Sequence, residues 1–164
     1  MLLEITKTLA LDRPPSEVWA FLLTPERVAA CIPNVQDFRP ASSADHFTAV
    51  IADRLGPFKL QVPVMIDISR DLEARQIHAR IAGDDGAGQA RVRGELTATL
   101  QGEGDRSGLV LASRVEVLGR MAALGAVPMR RRADQVFDVF AQNLRAALAP
   151  RAAWRTGEPE ARNG

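Results

Sequence analysis

The chain has 164 residues, 46% of them hydrophobic and 25% charged, which suits one globular domain with its own core. Its 21 basic and 20 acidic residues leave a formal net charge of +1, so no global field draws it to nucleic acid. The single cysteine, Cys31, excludes an internal disulfide, and no run of about 18 apolar residues offers a membrane span.

Leu3, Ile5, Leu9 and Leu11 share one parity, with Lys7 the exception, and Glu4, Thr6 and Thr8 share the other. This alternation predicts a half-buried strand rather than a secretory signal. Asp12-Arg-Pro-Pro-Ser16 breaks it, and Ser16 is expected to cap a short helix carrying Val18, Trp19, Phe21 and Leu22. Thr24-Pro25 opens a second short helix, Thr24 as its cap and Pro25 in the first helical position, and Pro33 closes it.

Val35 to Pro40 reads as a short polar strand, and Phe47, Ala49 and Ile51 mark one face of the next. After the Gly56-Pro57 turn comes the cleanest alternation in the chain. Phe58, Leu60, Val62, Val64, Ile66 and Ile68 face one way; Lys59, Gln61, Pro63, Asp67 and Ser69 face the other. Pro63 removes a ladder N–H, which predicts an edge or bulge position. Ile77, Ala79 and Ile81 repeat the theme before a turn at residues 83–86. Ala90, Val92, Gly94, Leu96, Ala98 and Leu100 follow, then a loop over residues 102–108, then Leu109, Leu111, Ser113, Val115 and Val117.

From about Met129 to Ala149 the period changes to 3.6: Ala133, Val136, Phe137, Phe140, Leu144, Ala147 and Leu148 form one stripe of a long helix. Arg130, Arg131, Asp134, Asp138, Gln142 and Arg145 keep the other face wet. The preceding stretch, residues 120–128, is expected to be helical too, with a kink or break at Pro128. Residues 1–149 form the domain, and the composition of residues 150–164 predicts a flexible tail. In that tail Trp154, between Arg151 and Arg155, suits a membrane interface, a partner groove or a return contact with the domain.

The order of elements predicts an α+β fold of the helix-grip kind. A curved antiparallel sheet of six to seven strands carries two short helices after its first strand and is covered by one C-terminal helix. Small inward residues alternate with branched ones, which leaves two readings of the space under the helix: a ligand cavity, or ordinary packing against Phe137 and Phe140.

Chemistry is scarce. His46 lies beside a turn and His78 has outward parity, so neither is placed as a base. The chain has no Gly-x-Ser-x-Gly elbow, no phosphate-cradling loop and no paired Cys or His spacing, and the clean strand phases hold no inward carboxylate. The expectation is a protein that is not an enzyme, without metal or covalently bound cofactor. Ser113 is the one polar residue in the last strand's inward phase, and its partner is the backbone or a ligand oxygen. Cys31 is either an inert buried thiol or part of the cavity mouth. The run Arg130-Arg-Arg132 is either solvated or faces an anionic partner or membrane surface.

Pro14-Pro-Ser-Glu-Val18-Trp19 after the first strand, then Ala30-Cys31-Ile32-Pro33, Phe47-x-Ala49-Val50, Gly56-Pro57 and Leu124-Gly125, resemble the carbon monoxide dehydrogenase CoxG family of the START-like (SRPBCC) superfamily. The resemblance covers roughly residues 2–148. The chain departs from the pattern at Asn34, in the shortened Gly86-Ala-Gly88 stretch and at Pro128. It implies a non-catalytic accessory protein of a molybdenum hydroxylase, one that binds a quinone or another lipophilic small molecule and helps recruit the enzyme or its electrons to the membrane. The implied location is cytoplasmic, with peripheral contact at the inner face of the cell membrane. Trp19, Cys31, Ile32 and Pro33 carry over as packing or mouth-lining positions. Val64, Ile66, Leu96, Ser113, Val136, Phe137 and Phe140 are cavity candidates from parity and periodicity. Two alternatives stand beside this reading. One is a START-like cyclase or hydrolase using Ser113 or an inward-turned Arg91, and the other is an assembly factor whose cavity is filled by its own side chains.

Overall fold

Period-2 alternation carries most of the chain into one sheet. The computed structural model describes residues 1–149. Its elements are β1 (Leu2–Leu11), α1 (Pro15–Leu22), α2 (Pro25–Ala29), β2 (Val35–Pro40), β3 (His46–Leu55), β4 (Phe58–Asp71), β5 (Gln76–Asp84), β6 (Arg91–Gln101), β7 (Ser107–Leu118), a 3-10 turn (Arg120–Leu124) and α3 (Ala126–Leu148). The seven strands lie in the order β1-β7-β6-β5-β4-β3-β2, each pair antiparallel. Helices α1 and α2 carry the chain from one sheet edge to the other. From there it meanders back strand by strand until β7 closes on β1.

Register sets the inner face. Ile5 faces Ser113, Ser113 faces Leu96, Leu96 faces Ala79, and Ala79 faces Ile68, one row across five strands. Two apolar clusters flank this row. One joins Leu9, Leu11, Val18, Phe21, Leu100 and Leu109 to Phe140, Ala141, Leu144 and Leu148 of α3. The other joins Leu3, Phe47, Leu60, Val62, Val64 and Val117 to Met121 and Met129.

Several local expectations are corrected. Helix α1 starts at Pro15, with Pro14 in the capping position, so Ser16 sits exposed inside the first turn and caps nothing. A proline's fixed φ already suits the first helical position. Thr24 does occupy the cap of α2, but its hydroxyl donates to Ala20 O at 3.3 Å. Pro63 lies in an interior strand, between β3 and β5. The β4–β5 ladder ends at Val64–Gly83, one residue short of the proline, so on that side few hydrogen bonds remain to lose. The strands come close at this point: a Cβ on Gly83 would stand 2.2 Å from Pro63 O, so only glycine fits there. Gly83 therefore belongs to β5 and not to the turn. Ser107 also lies in a strand, buried, and its hydroxyl donates to Arg13 O at 2.6 Å.

The expected break at Pro128 falls instead at Gly125, whose φ of 84° and ψ of 173° separate the 3-10 turn from α3. Pro128 is the third residue of α3, in the first turn, where its missing N–H has no intrahelical acceptor. The helix continues through it. On the buried stripe Ala141 takes the place expected of Ala147, which is exposed. The expected tail, Trp154 included, lies outside the described residues.

Candidate ligand-binding cavity

Helix α3 approaches the sheet at its flanks. Its close backbone neighbours are β1, β3 and α1, while β4, β5 and β6 curve away beneath it. The space between is a cavity of about 490 Å³, within the range of small-molecule sites. Ile66, Ile68, Ile77, Ala79, Ile81, Leu96 and Ala98 form its floor. Met129, Ala133, Val136, Phe137 and Phe140 form its roof, and Pro25, Val28, Ile32 and Phe38 close one side. Alanine at positions 79 and 98 is what keeps the floor low.

Seven of the residues expected at the site line this space: Ile32, Ile66, Leu96, Ser113, Val136, Phe137 and Phe140. Four do not. Trp19 is half-buried on α1 against the first apolar cluster. Cys31 is buried in the same cluster, its thiol donating to Arg27 O at 3.5 Å. Burial pushes that thiol up, and the nearby Arg27 charge offsets this only in part. Pro33 is exposed, and Val64 is packed into the second cluster.

Five polar side chains interrupt the apolar lining: Lys7, Asn34, Asp53, Ser113 and Arg132. The Ser113 hydroxyl donates to Ile5 O at 3.3 Å, so its lone pairs remain to accept. Asp53 is an inward carboxylate just beyond the strand phase that the sequence marks as clean. It continues the phase of Phe47, Ala49 and Ile51 by one further step along β3, and its side chain is only 7% exposed. Arg132 meets it through Nε at 3.0 and 3.1 Å and through a terminal nitrogen at 2.9 Å. The Arg54 amide and the Asn34 side chain add hydrogen bonds at 2.8 and 3.1 Å. Burial pushes the Asp53 carboxyl up, but the hydrogen bonds from Arg132, the Arg54 amide and Asn34 outweigh it, and the group is held below its ordinary value.

A second ion pair mirrors the first. Lys7 of β1 lies 2.6 Å from Asp134 and 5.6 Å from the centre of the Phe137 ring. Residues two apart on a helix project about 200° from one another. Arg132 therefore reaches β3 while Asp134 reaches β1, and one turn of α3 is pinned to both flanks of the sheet.

Neither histidine enters the cavity. His46 pairs with Asp67 and His78 with Thr97, both exposed. Arg91 faces outward, 3.1 Å from Asp84. Among the described residues no cluster of three or more His, Cys, Asp or Glu side chains is placed to hold a metal, and no helix is long and apolar enough to cross a membrane.

A family model for CoxG, a carbon monoxide dehydrogenase subunit, matches residues 8–149. A comparison with curated protein sequences finds no significant match. Among solved structures, a conserved protein from Geobacillus kaustophilus is similar over 89% of this chain and 95% of its own, at 18% identity and a TM-score of 0.78. A START superfamily protein from Mycobacterium smegmatis is similar over 88% and 96%, at 15% identity and 0.66. An aromatase/cyclase from a Streptomyces species is similar over 90% and 94%, at 16% identity and 0.58. These likenesses identify the START-like helix-grip fold.

Proposed function

The chain belongs to the CoxG family of carbon monoxide dehydrogenase, and from that premise we propose a non-catalytic carrier that holds a quinone or similar lipophile under α3. In this role it serves a molybdenum hydroxylase of the carbon monoxide dehydrogenase type and helps bring the enzyme or its electrons to the membrane. The observation that carries the reading is the cavity itself: about 490 Å³ of largely apolar space, large enough for a quinone ring and the start of its tail.

An enzymatic reading draws on the aromatase/cyclase of like fold, but the residues give it little. Among the described residues the carboxylate that lines the cavity is Asp53, and Arg132 holds it ionised, so it is a poor acid. It is also a poor base, because its lone pairs are already committed to four hydrogen bonds. The test is native mass spectrometry of the purified protein with organic extraction, followed by titration with menaquinone and ubiquinone analogues. A lipophile near one per chain, or saturable quinone binding, is the expected result. A protein that is empty and stays empty when offered quinones refutes the carrier reading.

A further inference from the structure

Charge at the cavity wall is matched pair by pair, and we infer that the site selects a neutral lipophile bearing a carbonyl oxygen and rejects an anionic one. Lys7 is the donor and Asp134 the filter. The inference rests on the carrier reading and narrows it to one class of ligand.

Lys7 is the only charged residue in the inward phase of β1, between Ile5 and Leu9. An ammonium has three donors, and its contact with Asp134 at 2.6 Å spends one of them. Lys7 faces Leu111 and Ile5 faces Ser113 in the β1–β7 register, so Lys7 and Ser113 are diagonal neighbours on the cavity face. Across the cavity, Arg132 is matched by Asp53 at 2.9 Å. Both cations that line the space thus already hold a carboxylate.

Two kinds of ligand meet this arrangement differently. A carboxylate or phosphate head finds no unmatched positive charge, comes up against the carboxylate of Asp134 that holds Lys7 from just outside the lining, and loses its hydration without return. A ketone or quinone carbonyl asks only for a donor, and an unspent N–H of Lys7 supplies one beside the flat face of Phe137. The apolar remainder lies against the floor, where Leu96 and Ala79 continue the row that starts at Ile5 and Ser113.

Three probes of one shape test this on the full chain by equilibrium binding. Dimethylnaphthoquinone has neutral carbonyls and no free ring position for thiol addition, dimethylnaphthalene lacks oxygen, and naphthoate carries a carboxylate. The wild type is expected to bind naphthoate about tenfold or more weakly than the quinone. Lys7→Met lowers the preference for quinone over naphthalene by about tenfold. Asp134→Asn unmasks the ammonium and strengthens naphthoate binding by a similar factor, a gain that misfolding cannot imitate. Naphthoate bound as tightly as the quinone by the wild type, or unchanged by Asp134→Asn, overturns the inference and leaves the carrier reading standing. Failure of all three probes to bind overturns both.

Discussion

Replacing Arg132 with methionine isolates what the Asp53 contact contributes to stability. Removing one partner of a fully buried ion pair costs about 3–5 kcal/mol, because the other charge is left without compensation. Two features reduce that here. Arg132 is 35% exposed, and Asp53 keeps its bonds to the Arg54 amide and Asn34. The expected loss is therefore about 2 kcal/mol. For a chain of this size it lowers Tm by about 4–8 °C. Asp53→Asn is milder, about 1 kcal/mol, since the freed guanidinium can turn to water. The folded Asp53 carboxyl titrates below its ordinary value of about 4. Its stabilisation is therefore complete above that value and is lost as pH falls through the depressed one. Urea denaturation of wild type, Arg132→Met and Asp53→Asn at pH values from neutral to acid measures both effects. The gap between wild type and Asp53→Asn holds near neutrality and narrows below about pH 4. A loss under about 0.5 kcal/mol for Arg132→Met, or a gap that persists unchanged into acid, refutes the reasoning.

Ala79→Leu adds side chain to the cavity floor. It is expected to raise the stability of the empty protein by about 1 kcal/mol while weakening lipophile binding at least about tenfold, as read by calorimetry and titration. Gly125→Ala meets no atom within 4 Å, so its cost is backbone conformation alone, about 1–3 kcal/mol in chemical denaturation. Pro128→Ala is expected within about 0.5 kcal/mol of wild type, and a larger change contradicts its placement in the first turn. Cys31, buried and with its thiol pushed up, should resist iodoacetamide at neutral pH until urea unfolds the chain. Rapid labelling of the folded protein is the contrary result.

The sheet is legible in the sequence because alternation is a two-fold signal that neighbouring strands repeat in register. The apolar phase of β3 runs only to Ile51. One more step reaches Asp53, whose partner Arg132 lies on a helix that sequence alone does not align with β3. Lys7 stands out as a break in parity, but its meaning needs Asp134, which is 127 positions away in sequence and 2.6 Å away in space. The motif positions Trp19, Cys31 and Pro33 mark how α1, α2 and the turn after them pack, and Trp19 and Cys31 face the first apolar cluster rather than the cavity. Pro128 misleads because a proline's effect depends on where its helix begins. That point is set by the backbone angle of Gly125, which composition does not reveal.

The closure of β7 on β1 also has a temporal side. Strands β2 to β7 form from sequence neighbours, each waiting only for the next hairpin, whereas β1 must wait until residues 107–118 have been made. Long loops close slowly compared with hairpins. During synthesis the first strand made is thus the last to find its partner, and meanwhile Leu3, Leu9 and Leu11, all buried in the finished fold, stay uncovered. A chain that stalls before Ser107 leaves that apolar edge open to other chains, so the burden of avoiding aggregation falls on the interval before the sheet can close.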